Sequence, residues 1–174
     1  MNRSASRVPA EVADLLAALG QHRHFLRFTT RGLTDEQARS RSTASELCLA
    51  GIVKHVTYTE RRWMAFTHEG ASAMRSPEPR EAAFAEHLAT FRPDAGEDLE
   101  SLLAEYDAVA AETDRQVEGL DLDESHELPP APWFPPAARW TNRMVLLHVL
   151  AETAQHAGHA DIVRESIDGQ KTMG

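Results

Sequence analysis

From Leu146 to Glu165 the sequence sets metal-binding side-chain types into an apolar run at helical spacing. His148, Glu152 and His156 follow one another at i, i+4 and i+8, and His159 stands three further on. On a helix these residues share one stripe, because positions three and four apart face the same way. Leu147, Val149, Leu150, Ala151, Ala154 and Ile162 leave little other polar surface, so this helix is expected to be largely buried. Buried imidazoles and a buried carboxylate are costly unless something satisfies them. The chain must therefore fold so that the stripe finds polar partners on a facing element or closes on an ion.

A divalent metal would satisfy them, since a carboxylate and an imidazole four residues apart project from adjacent turns and can close on one ion. A further ligand must then come from elsewhere. The best candidate is His55, the one histidine between Leu49 and Trp63, which falls among Ile52, Val56 and Thr59 on the apolar side of its segment. The other reading is a hydrogen-bonded core, in which buried histidines take protein partners and no metal. Spacing alone leaves both open.

With 174 residues the chain suits one domain with a sizeable core, expected over residues 8–170, with 1–7 and 171–174 as flexible termini. The formal net charge is −9, and the lysines and arginines are scattered instead of forming a stripe. That balance argues against nucleic acid or an anionic membrane as partner, since phosphate binding relies on clustered cations. Cys48 is the single cysteine, so no intramolecular disulfide is possible, and a reducing cytoplasm is expected. No apolar segment follows Arg7 as in a signal peptide, and no apolar run approaches the roughly 18 residues of a membrane span.

Taken in order, Val12, Leu15, Leu16, Leu19 and Leu26 predict a first helix from about Pro9 to Arg31, stopped by Gly32. Its His22 and His24 are expected at solvent or against a helix neighbour. Thr34 to Gln37 reads as a capping box opening a short turn, and Thr43 to Glu46 as a second box opening a helix that carries His55 to about Thr67. The pattern then fails for some 25 residues, with a short helix possible over Arg80–Thr90 and His87 expected exposed. A third long helix is predicted from about Glu97 to Glu118, its acidic first turn suited to the helix dipole. Leu128 to Pro136 holds five prolines with Trp133 and Phe134 between them, and should lid a pocket or pack on the bundle instead of forming helix or central strand. The last helix is predicted from about Thr141 to Ile167, with Gly169 as its stop. Four long amphipathic segments, no alternating strand pattern and one long crossover imply an all-α four-helix bundle, in which metal sites are built from side chains on facing helices.

Gly32-Leu33-Thr34-Asp35-Glu36-Gln37, Lys54-His55-Val56 with Glu60-Arg61-Arg62-Trp63, and above all Glu152 through Glu165 resemble the DinB/YfiT-like superfamily. More narrowly the chain is similar to its uncharacterised actinobacterial DinB-like branch, the mini-circle proteins. That resemblance covers nearly the whole chain up to Gly169. It implies a bundle of up-up-down-down order, commonly a homodimer, with a divalent metal held by three side chains. The usual triad is one histidine on the second helix and two, four apart, on the last. Glu152 stands where the first of that pair would be, a departure that resembles the mycothiol-dependent maleylpyruvate isomerases with their histidine, glutamate and histidine on zinc. By motif position the resemblance implies His55, Glu152 and His156 as ligands, with His148 and His159 beside them or in the pocket.

Three protein ligands leave a position open for water or substrate, and a bound thiol would be deprotonated near neutral pH. The resemblance thus implies a metal-dependent thiol S-transferase or thiol-dependent isomerase, in which a mycothiol-like thiol attacks or isomerises a small electrophile. Zinc is the favoured ion, with nickel, iron or manganese also compatible with the donors. Tyr58, Trp63 and the Trp133-Phe134 segment are expected to line the pocket. Asp161 and Arg164 either support a ligand or form a surface pair with each other. Cys48 is expected to pack. The competing expectations are a non-catalytic metal- or small-molecule-binding stress-response protein, and a metal-assisted hydrolase with His148 or His159 shuttling protons.

Overall fold

The computed structural model describes residues 9–75, 78, 80–131 and 133–173. Its elements are α1 (Ala10–Thr29), α2 (Asp35–Arg39), α3 (Leu49–Glu69), a 3-10 turn (Gly70–Met74), α4 (Arg80–Ala89), α5 (Leu99–Val117), β1 (Ser125–Glu127), β2 (Arg139–Thr141) and α6 (Asn142–Asp168). The four long helices form the expected all-α bundle. α3 packs against both α5 and α6, and α1 against α6.

Local chemistry accounts for most of the boundaries. Thr34 and Gln37 form the expected capping box at α2, and Asp98 with Ser101 forms another at α5 that the sequence reading did not mark. Thr141 caps α6 by accepting from the Met144 N–H, and Gly169 ends it in the left-handed region at φ 81°. The box expected at Thr43 to Glu46 does not form. Thr43 Oγ1 accepts from the Ser45 N–H two residues on, Ser45 Oγ from Leu47 N–H, and Glu46 pairs with Arg41, so α3 starts only at Leu49 from an uncapped Cys48.

Ion pairs report the helix directions. Arg143 at the start of α6 donates to Glu11 at the start of α1, and Arg164 near the end of α6 donates to the carbonyls of Thr29 and Arg31. These two helices therefore run together. Lys54 and Arg61 on α3 meet Glu97 and Glu105 in the same order along α5, whereas Arg23 and Arg27 on α1 meet Asp114 and Asp107 in reverse order. The chain order is thus up-down-down-up, not the expected up-up-down-down. One crossover suffices, and it is the 70–98 segment, which climbs from the end of α3 to the start of α5 and carries α4. Burial holds the bundle together, since side chains such as Leu26 and Ile52 are 0 % exposed and each contributes about 1.5–3 kcal/mol relative to exposure. Leu26, Leu49, Ile52, Leu102, Ala160 and Val163 fill one end, and Val12, Met64, Val117 and Leu146 the other.

Two expectations are corrected. A small antiparallel hairpin is present, with His126 opposite Trp140, although no strand was predicted. Its three-residue strands are too short to carry a readable alternation. The proline-rich stretch is the loop of this hairpin: Leu128 is buried and Phe134 packs on Trp140, while Trp133 is 76 % exposed and Pro132 lies outside the described residues. α6 is also less buried than expected, since Met144, Leu147 and Ile162 point outward and Ile162 is 62 % exposed. Of the expected flexible termini, 1–7 and Gly174 lie outside the described residues; the Thr172 N–H donates to Asp161 Oδ1 at 2.8 Å. Among the described residues no helix is long and apolar enough to cross a membrane.

Candidate metal centre

Because α3 and α6 run in opposite directions, His55 meets the later part of the α6 stripe and Trp63 the earlier part. His55, Glu152 and His156 each offer one ligand atom, and these atoms all lie within 4.8 Å of one another. His55 is 5 % exposed and His156 8 %, whereas Glu152 is half-buried at the edge. The two imidazoles stand edge to face, 4.9 Å between ring centres. Glu152 Oε2 lies 3.6 Å from His156 Nε2, and its other oxygen 3.9 Å from His148 Nε2.

The crossover supplies the wall that the sequence reading missed. Phe91 stacks on the His55 ring at 3.7 Å and 14°, and the His87 ring stands 5.6 Å away. His55 Nδ1 lies 2.7 Å from Thr90 Oγ1. This approach depends on Gly51, one turn before His55: a Cβ there would stand 2.1 Å from the Phe91 carbonyl oxygen. Nothing in the sequence singled out Gly51, since Gly20 and Gly158 also lie inside helices and a Cβ there would meet nothing within 4 Å.

Burial sets the charge state. It pushes His55 far below the usual imidazole range, to about 3, with the neighbouring His156 and His87 adding to the effect. Burial also lowers His148 and His156, against the opposing pull of the Glu152 carboxylate. All three are neutral at pH 7, which is the form that binds a metal. Two neutral imidazoles and one carboxylate from facing helices form a donor set that fits a divalent metal ion.

His148 is packed between Trp63 and Trp140, at 4.7 and 5.1 Å between ring centres. His159 Nδ1 stands 3.5 Å from His156 Nδ1. Tyr58 is turned to Arg62, which also donates to the carbonyl oxygens of Ala73 and Arg75. The suggested Asp161 and Arg164 pair does not form. Arg164 is 4 % exposed, where its guanidinium ties the Thr29 and Arg31 carbonyls to Asp168, while Asp161 accepts from Thr172. Both serve the end of the bundle instead of the cluster. Cys48 is buried at the start of α3, in keeping with a packing role. Two concavities lie apart from this chemistry. One of about 730 Å³ opens between α1 and α5 beside Phe28 and Leu103, and one of about 370 Å³ between α3 and α5 beside Met64 and Thr113.

Residues 14–169 match the family described as mycothiol S-transferase, a span that takes in nearly all of α1 and the whole of α3 and α5, and continues through α6 to its glycine stop. No curated protein matches the chain. A match over that length, on a helical bundle of this kind, means that the chain belongs to the mycothiol S-transferase family of DinB-like proteins.

Proposed function

We propose that the protein transfers mycothiol, or a closely similar low-molecular-weight thiol, to a small electrophile, with a zinc ion held by His55, Glu152 and His156. The observation that carries this reading is the meeting of those three donors across α3 and α6 in a chain of this family. An ion bound there supplies Lewis acidity that keeps a coordinated thiol deprotonated near neutral pH. His55 and His156, neutral because they are buried, direct lone pairs inward, and Glu152 contributes the negative charge that offsets part of the ion's own. His148, also neutral and 3.9 Å from the free Glu152 oxygen, is placed to receive the thiol proton. In the reaction the S–H bond is lost, a sulfur–carbon bond forms, and the leaving group departs with its electron pair. The aromatic wall of Trp63, Trp140 and Phe134 suits an uncharged, apolar electrophile. A homodimer working in the cytoplasm is part of the same proposal, supported by the family resemblance and by the outward-facing Met144, Leu147 and Ile162 on α6.

The test is metal content by mass spectrometry for protein purified without chelator or metal-affinity tag, wild type beside Glu152→Ala. About one zinc per chain in wild type, lost in the variant with helical circular dichroism unchanged, is the expected result, together with loss of mycothiol consumption against an alkylating electrophile. Absence of binding even in excess zinc would overturn the reading and leave the triad as a hydrogen-bonded core. Light scattering gives the oligomeric state in the same preparation.

A further inference from the structure

We infer that Thr90, at the C-terminal end of α4 in the crossover, is a positioning residue that fixes the tautomer of His55 so that Nε2 faces Glu152 and His156 with a free lone pair. The inference rests on the metal-centre reading for its purpose, but its geometry stands in the protein without metal. Thr90 is buried, and its hydroxyl has a single proton, which it donates to the His87 carbonyl at 2.6 Å. Toward His55 Nδ1, at 2.7 Å, that oxygen can then only accept. Nδ1 therefore carries the proton and Nε2 does not. The opposite tautomer would require the hydroxyl to turn its proton to Nδ1 and give up the 2.6 Å bond to the His87 carbonyl. On the other side of the ring Thr59 Oγ1 stands 3.4 Å from Nε2, too far to compete strongly for that lone pair.

The device belongs to the crossover and not to the four long helices. The Thr90 N–H is held by the Glu86 and His87 carbonyls, which closes the last turn of α4. Phe91 follows immediately and lies flat on His55, with its carbonyl pressed into the space left by Gly51. Hydroxyl and ring thus grip the imidazole at its edge and its face. A partner of this kind on a ligating histidine orients the ring and raises its basicity, and its loss typically lowers metal affinity about 10- to 100-fold.

The experiment reads the His55 tautomer by long-range nitrogen–proton correlation NMR in metal-free protein, and zinc affinity by chelator competition, for wild type, Thr90→Val and Thr90→Ser. Wild type is expected to show Nδ1–H. Thr90→Val, which keeps the shape but cannot accept, is expected to populate Nε2–H and to bind zinc about 10- to 100-fold more weakly; Thr90→Ser is expected to restore both. An Nε2–H tautomer in wild type overturns the inference without any variant, as does an unchanged tautomer and affinity in Thr90→Val. If wild type binds no zinc but Thr90→Val still switches the tautomer, the metal reading fails while the positioning of His55 by Thr90 stands.

Discussion

Glu60 is almost wholly buried in the middle of α3, and Arg23, buried on α1, donates to it through both Nε and a terminal nitrogen while reaching Asp114 on α5 at 2.8 Å. The Tyr106 hydroxyl lies buried in the same interior with no hydrogen-bond partner among the described residues. These neighbours should respond oppositely to truncation. Arg23→Met strands the Glu60 carboxylate away from water and is expected to cost about 3–5 kcal/mol, whereas Tyr106→Phe removes an unpaired hydroxyl and is expected to fall within about 1 kcal/mol of wild type or to stabilise. Urea unfolding measures both, and an equal loss in the two variants would contradict the account. None of this was legible in the sequence, because helical spacing marks which residues turn inward but not which inward charges meet across helices. The ligand candidates were legible for the opposite reason. Glu152 and His156 are four apart on one helix, so local geometry alone aligns them, and His55 is the one histidine between Leu49 and Trp63. Thr90, Phe91 and His87 come to His55 through a tertiary contact that no local spacing encodes.

At the scale of elements, that contact turns on the fit between α3 and the crossover. A glycine inside a helix ordinarily costs about 0.5–1 kcal/mol relative to alanine, so alanine should help wherever there is room. Gly20, exposed on α1 with nothing within 4 Å of a built Cβ, supplies the control: Gly20→Ala is expected to stabilise by about that amount. At Gly51 the Cβ would meet backbone at 2.1 Å, which no side-chain rotation relieves. Gly51→Ala is therefore expected to lower the melting temperature despite the better helix former, and to weaken zinc binding by lifting Phe91 and Thr90 from His55. Stabilisation at both positions would mean that the crossover does not press on α3. The long helices were readable because a 3.6-residue apolar period extends over five or more turns in each, and the short elements were not. The same Thr-x-x-Glu/Gln pattern gives a real box at Thr34 and none at Thr43, since the Thr43 hydroxyl is already taken by the Ser45 N–H. The hairpin is shorter than any period that could announce it.

The molecule as a whole runs up-down-down-up, and nothing local in the sequence distinguishes that order from up-up-down-down, because the amphipathic faces are the same in both. Its consequence is that antiparallel α3 and α6 enclose His55, His148 and His156 between them, three imidazoles held neutral by burial. Stability should follow pH accordingly. For His55 the folded value lies near 3 and the reference value at 6.5, so between those limits the unfolded chain binds the extra proton. The stabilisation is therefore fully present above pH 6.5 and is lost as pH falls toward 3. Asp98 and Asp168, held below the usual carboxylate range by their hydrogen bonds to Ser101 and Arg164, lose their share in the same direction, but only below about pH 4, where unfolded aspartates titrate. The interval from pH 6.5 to 5 thus isolates the histidines. Metal-free protein is expected to lose about 2 kcal/mol there from His55 alone, read from urea unfolding at fixed ionic strength, with His148 and His156 adding to it. His55→Gln should flatten the profile by its share. Zinc should raise stability most at pH 7 and progressively less toward pH 5, because protons and metal compete for the same nitrogens. A metal-free profile that is flat across this interval would mean that the histidines between α3 and α6 are reached by water, and would remove the basis for neutral ligands waiting at the centre.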